Sequence, residues 1–371
     1  MTMLTVIGLM SGTSLDGVDA AVIRTDGERT ETCGPSLSLP YEPHLRSRMR
    51  DLLDRSASLT QDDPELISVE QLITFRHIEA VQQLRLIIPD IDLIGFHGQT
   101  ILHMPDCHRT WQIGDAVRMS RETGLPVVHD FRSADVAAGG EGAPLVPWYH
   151  AAILGKAPKP LAVLNIGGVA NMTFIGADHT ICACDTGPGN ALLDDWAFRH
   201  TGRACDFDGQ LARAGKVNHT LLEQMLDNPY FSRPAPKSLD RQTFISALDI
   251  IADCTPEDGA ATLAAFTVEA VRRTPLPAKP AIWYICGGGR HNPSLMNGLR
   301  HALEVPVESI DSIGWDGDAL EAQCFGFLAV RVLRKLPLSA PMITGTPDMR
   351  SGGRLTCIGL SPIPEWLFGG V

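Results

Sequence analysis

Apolar and polar positions along this 371-residue chain come in short blocks, and each block predicts an element. Leu4 to Leu9 is an apolar run, small and polar residues follow, and Val18 to Ile23 is a second apolar run. Two strands joined through Ser11-Gly12-Thr13-Ser14 and Asp16-Gly17 predict a hairpin with an enlarged, glycine-lined tip. Helical periodicity over 43–55 and 65–87 predicts two helices, and strands are predicted over 91–96 and 125–129.

After Gly139-Gly140-Glu141-Gly142 the pattern starts again. Residues 161–166 predict a strand, Gly167-Gly168 a turn, 169–175 a returning strand, and 180–184 a third strand. That third strand runs into Asp185-Thr186-Gly187-Pro188-Gly189-Asn190, where a helix starts. Helices are predicted over 190–200, 207–228, 241–253 and 256–273. A strand over 281–286 enters Gly287-Gly288-Gly289, a helix begins near Pro293, and the last long helix covers 317–335. Two halves that each open with strand, glycine turn and strand predict an internal duplication. The expected fold is α/β with two lobes and a central cleft lined by glycine-rich strand ends. The Pro- and Gly-rich stretch 337–353 reads as a connector that returns the chain to the first lobe.

Composition narrows the function classes. A chain of this length exceeds one usual core, which agrees with two lobes. The net charge of −12 excludes a nucleic-acid partner, because a phosphate backbone needs a basic face. No segment approaches the ~18 consecutive apolar residues of a membrane span. The N-terminus lacks a cationic n-region, and Ser11, Thr13 and Asp16 interrupt its apolar run, so a soluble, cytoplasmic protein is expected. The 9 cysteines contain no CxxC pair and read as free thiols in a reducing compartment. Cys182 and Cys184, two apart on a strand, share one face and are expected in the core.

Three constellations can carry chemistry. Backbone N–H groups of a glycine-rich turn, helped by Ser and Thr hydroxyls, can converge on a phosphate, and Asp16 and Asp19 offer carboxylates to a hydrated magnesium ion. The Gly-Lys-[Ser/Thr] ending of a Walker motif is absent. Asp185, at a strand end before glycines and a helix start, is placed as a base beside a phosphate. Asp-Thr-Gly also marks aspartic proteases, but that chemistry needs a second such carboxylate, and none occurs. Cys286-Gly287-Gly288-Gly289-Arg290-His291-Asn292 lets a flat ligand approach the backbone, or is a simple strand-to-helix turn. Elsewhere, Arg132 suits a carboxylate through its planar fork, and Gln99 and Asn171 suit sugar hydroxyls and amides. His97, His103 and His108 lack metal-site spacing.

The segment Ile7 to Asp19 closely resembles the opening signature of the anhydro-N-acetylmuramic acid kinases. Phe96-His97-Gly98-Gln99-Thr100, Gln112-Ile113-Gly114-Asp115, Asp130-Phe131-Arg132, Gly142 to Pro147, Asn165 to Asn171, Asp185 to Asn190 and Cys286 to Asn292 are similar to further blocks of that family, in the same order. The resemblance implies a duplicated RNase H-like, actin-like ATPase fold. The first lobe is expected at 1–131, joined by 345–371, and the second at 132–344. The implied activity is ATP-dependent phosphorylation of 1,6-anhydro-N-acetylmuramic acid at O6, with water opening the bridge at C1, in peptidoglycan recycling.

It further implies that Asp185 is the base. Gly12, Thr13, Ser14, Leu15, Asp16, Gly17, Val18, Asp19, Gly187 and Gly189 handle ATP phosphates, and Gly287, Gly288 and Gly289 lie near the adenosine. His97, Gln99, Arg132 and Asn171 bind the sugar, and Asp16 with Glu321, the latter through water, attends Mg2+. A homodimer is common in the family and is expected. Lys237-Ser238-Leu239-Asp240-Arg241 departs from the family's Ser-Thr-Gly-Arg form, so sugar contacts there are open. The competing readings are an ordinary hydroxyl-phosphorylating kinase of the same fold and a non-catalytic sugar or nucleotide sensor.

Overall fold

The computed structural model describes residues 2–12, 14–239 and 241–359, the side chains of 32, 33, 241 and 242 aside. The predicted opening hairpin forms from β1 (Leu4–Ser11) and β2 (Gly17–Thr25), and β3 (Thr30–Pro40) extends it. Helices α1 (Pro43–Asp54) and α2 (Pro64–Ile87) follow; α2 starts where Asp63 accepts the N–H groups of Glu65 and Leu66 and Pro64 supplies a preset first turn. Then come β4 (Leu93–Met104), β5 (Arg109–Ile113), α3 (Ala116–Thr123), β6 (Val127–His129), α4 (Ser133–Ala137) and α5 (Pro147–Ile153).

The second half opens with β7 (Leu161–Ile166), β8 (Val169–Ile175) and β9 (Ile181–Pro188). It continues through α6 (Ala191–Thr201), α7 (Gln210–Ala214), α8 (His219–Leu226), α9 (Ala247–Ile250), α10 (Pro256–Arg273), β10 (Ile282–Cys286), α11 (Pro293–Leu303) and β11 (Val307–Ser309). The chain then forms α12 (Leu320–Leu333), α13 (Pro341–Thr344) and β12 (Arg354–Thr356).

Two sheets result, and they share one plan. In the first the order is β12-β6-β4-β1-β2-β3, with β5 paired to β4. Strands β1, β2 and β3 form an antiparallel meander, while β4 and β6 run parallel to β1 on its other side. In the second the order is β11-β10-β7-β8-β9, again a three-strand meander with two parallel strands beside its first member. The expected duplication is therefore present in the strand order of the two α/β units. Central strands are covered on both faces, as the unbroken burial of β7 shows.

The chain separates into two compact units, Met1–Gly155 with Ala319–Val371, and Lys156–Asp318. These breaks differ from those expected after 131 and after 344. Helix α12 packs on β1, β2 and β4 and also touches α5, so contacts hold both helices in the first unit. The closeness of α12 to its sheet requires glycine. A Cβ at Gly8 would overlap the carbonyl oxygen of Ala322, and one at Gly95 would overlap that of Phe325.

Other expectations shift locally. The helix predicted over 207–228 is broken into a short turn, α7 and α8, and 241–253 holds only a turn at 241–244 and α9. Cys182 and Cys184 are buried, as their spacing predicts. Among the described residues no helix is long and apolar enough to cross a membrane.

One core residue sets a pH dependence. His77 is buried on α2, donates from Nδ1 to the Ile73 carbonyl at 2.8 Å, and stands edge-on to Phe96 at 4.9 Å. Burial pulls its pKa down from 6.5 to about 4, with the Ile73 bond opposing. Between those values the unfolded chain holds a proton that the folded chain refuses. Its stability contribution is thus full above pH 6.5 and is lost as pH falls toward 4, about 3 kcal/mol in all. The variant His77→Phe is expected to show a flatter urea midpoint between pH 6.5 and 4 than the parent. His150, pulled down to about 3 by burial, titrates in both proteins, so the difference between the two curves is the readout.

Candidate functional site

In the first unit the tip between β1 and β2 is tied down from three sides. Ser11 is buried, and its hydroxyl donates to Gln99 Oε1 at 2.6 Å. Its one proton being spent there, the Tyr41 hydroxyl is the donor in their 2.9 Å contact. Gln99 Nε2 donates to the carbonyls of Gly12 at 3.2 Å and Thr100 at 3.1 Å. Burial, opposed by the Ser11 bond and helped by Asp19, holds the Tyr41 phenol well above the usual range, so it stays protonated. Leu15 takes the left-handed conformation (φ 58°), and its N–H donates to the Gly12 carbonyl at 3.2 Å. The Tyr41 N–H donates to the Asp16 carbonyl at 2.9 Å.

The residues predicted here divide by what they expose. Ser14 and Asp16 are exposed at the tip and Gly12 and Gly17 half-buried, whereas the side chains of Leu15 and Val18 are buried in the core and leave only backbone for a ligand. Thr13 lies outside the described residues. Asp16 is exposed and pairs with Arg46 at 3.1 Å. Asp19 accepts a short bond from the Ser38 hydroxyl. Gln99 is fully buried, its amide is consumed at both ends, and it clamps the tip.

His97 is held as tightly. It is buried, Nδ1–H donates to the Gly98 carbonyl at 2.8 Å, and Nε2 accepts from Arg132 Nε at 3.0 Å, so neither nitrogen is left for a ligand. Burial and then the Arg132 charge push its pKa well below 6.5, which fixes this neutral tautomer. Arg132 also donates through Nη1 to the Gly142 carbonyl at 2.7 Å and stands 5.8 Å from the Phe325 ring centre. Burial lowers its pKa, while Glu321, Cys324 and Asp135 draw it back up. With Nε and Nη1 spent, Nη2 is the nitrogen without a hydrogen-bond partner among the described residues. Glu321 is exposed in the first turn of α12. A pocket of about 820 Å³ opens where β4 and β6 end, with His97, Trp111, Gln112, His129 and Asp130 in its walls. Its volume is within the range of small-molecule sites.

In the second unit, register builds a polar row. Asn165 on β7 faces Asn171 on β8, which faces Asp185 on β9, and directly opposed residues share one face of a sheet. Asp185 is gripped by the segment that departs from the family form. Its N–H donates to the Lys237 carbonyl at 2.9 Å, the Leu239 N–H donates to its Oδ2 at 2.7 Å, and the Tyr230 hydroxyl donates to its carbonyl at 2.7 Å. Asp240 lies outside the described residues.

Gly187 and Gly189 are closely packed. Both are buried: a Cβ on Gly187 would press on Ala270 of α10, and one on Gly189 would overlap the Gly167 carbonyl. The Gly189 N–H donates to Gly168 at 3.0 Å, and its carbonyl accepts the Thr267 hydroxyl at 3.0 Å. Half-buried Gly167 and exposed Gly168 form the tip between β7 and β8, the counterpart of the tip between β1 and β2. Asn190 braces it, donating from its N–H to Gly167 at 2.7 Å and from Nδ2 to Ile166 at 3.0 Å. Sequence reasoning named that turn without assigning it a role; carrying the duplication through to its consequence would have done so.

The turn Gly287-Gly288-Gly289 follows β10. Gly287 has φ 74°, and a Cβ there would overlap Asn165 Oδ1. Arg290 fixes this turn: its side chain is 4% exposed and bonds Asp311 at 2.7 Å, Asp318 at 2.5 and 2.8 Å, and the Gly287 carbonyl at 3.1 Å. Asp311, despite its own burial, is held down to about 2 by Arg290 and Ser309.

The comparisons agree over nearly the whole chain. A family model described as anhydro-N-acetylmuramic acid kinase matches residues 4–357. Proteins of that name from Gluconobacter oxydans and Acidiphilium cryptum are each 57% identical; they cover 94% of this chain and 98% and 97% of their own. A third, from Paramagnetospirillum magneticum, is 49% identical and covers 94% of this chain and 98% of its own.

Proposed function

The chain belongs to the anhydro-N-acetylmuramic acid kinase family and is a kinase acting on that sugar, and we propose that Asp185 is the base that activates water in its reaction. The observation that supports this is the carboxylate within β9 (Ile181–Pro188), oriented by the Leu239 N–H and opposed by Asn171. In the anhydro sugar O6 is tied to C1, so it has no proton to lose and cannot attack as an alcohol. Water adds to C1, the C1–O6 bond breaks, and O6 takes the γ-phosphoryl group while ADP leaves. The proton released by water goes to Asp185.

The remaining roles are part of the same reading. ATP is the phosphoryl donor. The exposed tip of residues 12–19 cradles its phosphates through backbone N–H groups and the Ser14 hydroxyl. Gly287, Gly288 and Gly289 let the adenosine approach the backbone. Asn171 contacts the sugar, and Arg132 offers Nη2 to the lactyl carboxylate, a single donor in place of the bidentate fork. Among the described residues no group of three acidic, His or Cys side chains could cage a metal, which suits Mg2+ held largely by phosphates and water. Asp16 and, through water, Glu321 would attend it, and its charge would neutralise the phosphates when bound. Action in the cytoplasm, in cell-wall recycling, and as a homodimer completes the reading; sedimentation tests the dimer.

The deciding experiment offers the anhydro sugar and free N-acetylmuramic acid side by side, with ATP, Mg2+ and a coupled ADP assay. Turnover of the anhydro sugar with 18O from water at C1 is expected. Preference for the free sugar would support an ordinary hydroxyl kinase instead, and no ADP with either would support a sensor.

A further inference from the structure

A lysine that is 2% exposed is rare, and Lys237 lies beside the residue assigned as the base. Its Nζ donates to the Tyr230 carbonyl at 3.0 Å and lies 4.3 Å from the centre of the Tyr230 ring. Tyr230 in turn donates its hydroxyl to the Asp185 carbonyl, and the Lys237 carbonyl accepts the Asp185 N–H. Two residues on, the Leu239 N–H binds the carboxylate itself. The lysine, the tyrosine and the base thus form one closed bracket, anchored by the ammonium.

We propose that Lys237 is a positioning residue for the kinase reaction, its buried ammonium locking this bracket so that the Asp185 carboxylate stays aimed. The proposal rests on the reading of Asp185 as base. Burial draws the ammonium below lysine's usual pKa; Cys184 draws it up, Arg233 down and Asp185 up. By the same attraction the ammonium favours the carboxylate form of Asp185. Among the described residues, the charged and titratable groups facing Lys237 are Cys184 and Asp185 on β9 and Tyr230 and Arg233 in the adjoining turn. On α10, packed against β9, Glu269 pairs with Arg272, and Arg273 with Glu223. A simple packing role is the alternative: the aliphatic stem fills space, and methionine would fill it as well.

The test compares the full-length parent with Lys237→Met, Lys237→Arg and Asp185→Asn, using pH profiles of kcat/KM for the anhydro sugar. The Met variant is expected to fold, to lose kcat by roughly tenfold, and to shift the acid limb upward by about one pH unit. Its KM for ATP stays within about twofold of the parent, and Arg restores the limb. A Met variant with the parent's kcat and acid limb overturns the proposal, as does one altered only in melting temperature. If Met does not fold, Lys237→Gln takes its place with the same two outcomes. Full turnover by Asp185→Asn would instead overturn the base assignment, independently of Lys237.

Discussion

Replacing Asp185 by Asn is expected to lower kcat for the anhydro sugar by roughly 10³-fold, within the range of general-base contributions, and to leave ATP affinity within about twofold. Asn matches the carboxylate in size, and its carbonyl oxygen can still accept the Leu239 N–H at the position that Oδ2 holds. The main-chain bonds from Tyr230 and to Lys237 do not involve the side chain and persist. What the amide lacks is a lone pair basic enough to take the proton from water. Fold and nucleotide binding therefore survive while chemistry fails. Calorimetric titration with a nonhydrolysable ATP analogue, beside the coupled ADP assay, separates the two. A variant that turns over at the parent rate would remove Asp185 from the reaction.

The second large effect concerns stability. Gly8→Ala is expected to cost about 3 kcal/mol, at the upper end of ordinary overpacking, read as a lower urea midpoint. The added methyl would meet the Ala322 carbonyl and the Gly326 N–H, both backbone of α12, and a helix cannot move a carbonyl aside without breaking its own bonds. The strand cannot retreat either, since Ile7 and Leu9 on either side are fully buried. Gly124→Ala is the control: nothing lies within 4 Å of its Cβ, so only the positive φ of 68° costs, about 1 kcal/mol. Equal losses at both sites would show that the helix-to-sheet approach is not what requires glycine at Gly8.

Much of the fold was legible because its central strands are plain apolar runs ended by glycine. The meander 161–175 is the clearest case, since burial on both faces demands unbroken hydrophobicity. Strand β3 was not legible. Its Thr-Glu-Thr-Cys-Gly-Pro-Ser-Leu-Ser-Leu-Pro is an edge, half in water, with Gly34 and Pro35 inside it. The helix predicted over 207–228 failed at Gly209, Gly215 and Asn218, where a left-handed residue, an extended residue and a new cap interrupt the periodicity. In the site, Asp185 was legible as a carboxylate before glycines, but the strand expected to end at Cys184 runs on through it to Pro188. The duty of Gln99 was not. It depends on β4 lying parallel to β1, which brings together residues 88 apart in the chain. Gly187 and Gly189 look like phosphate ligands in a string of letters, and the close packing of α10 and of the 167–170 turn against them was not legible there.

The knot of Ser11, Tyr41 and Gln99 beneath the first tip has a thermodynamic consequence. A loose glycine-rich turn would have to surrender its backbone freedom when an anion arrives, at about 1–2 kcal/mol for each residue ordered. Here that entropy is given up during folding, with the Gln99 amide and the Ser11 hydroxyl as the restraints. If, as proposed, ATP phosphates bind there, the described residues of the tip meet them preorganised, so the binding enthalpy gained there is not offset by ordering those residues. Cutting the knot with Gln99→Leu should therefore appear calorimetrically as a more unfavourable entropy of nucleotide binding, with the enthalpy of contact at the tip largely kept.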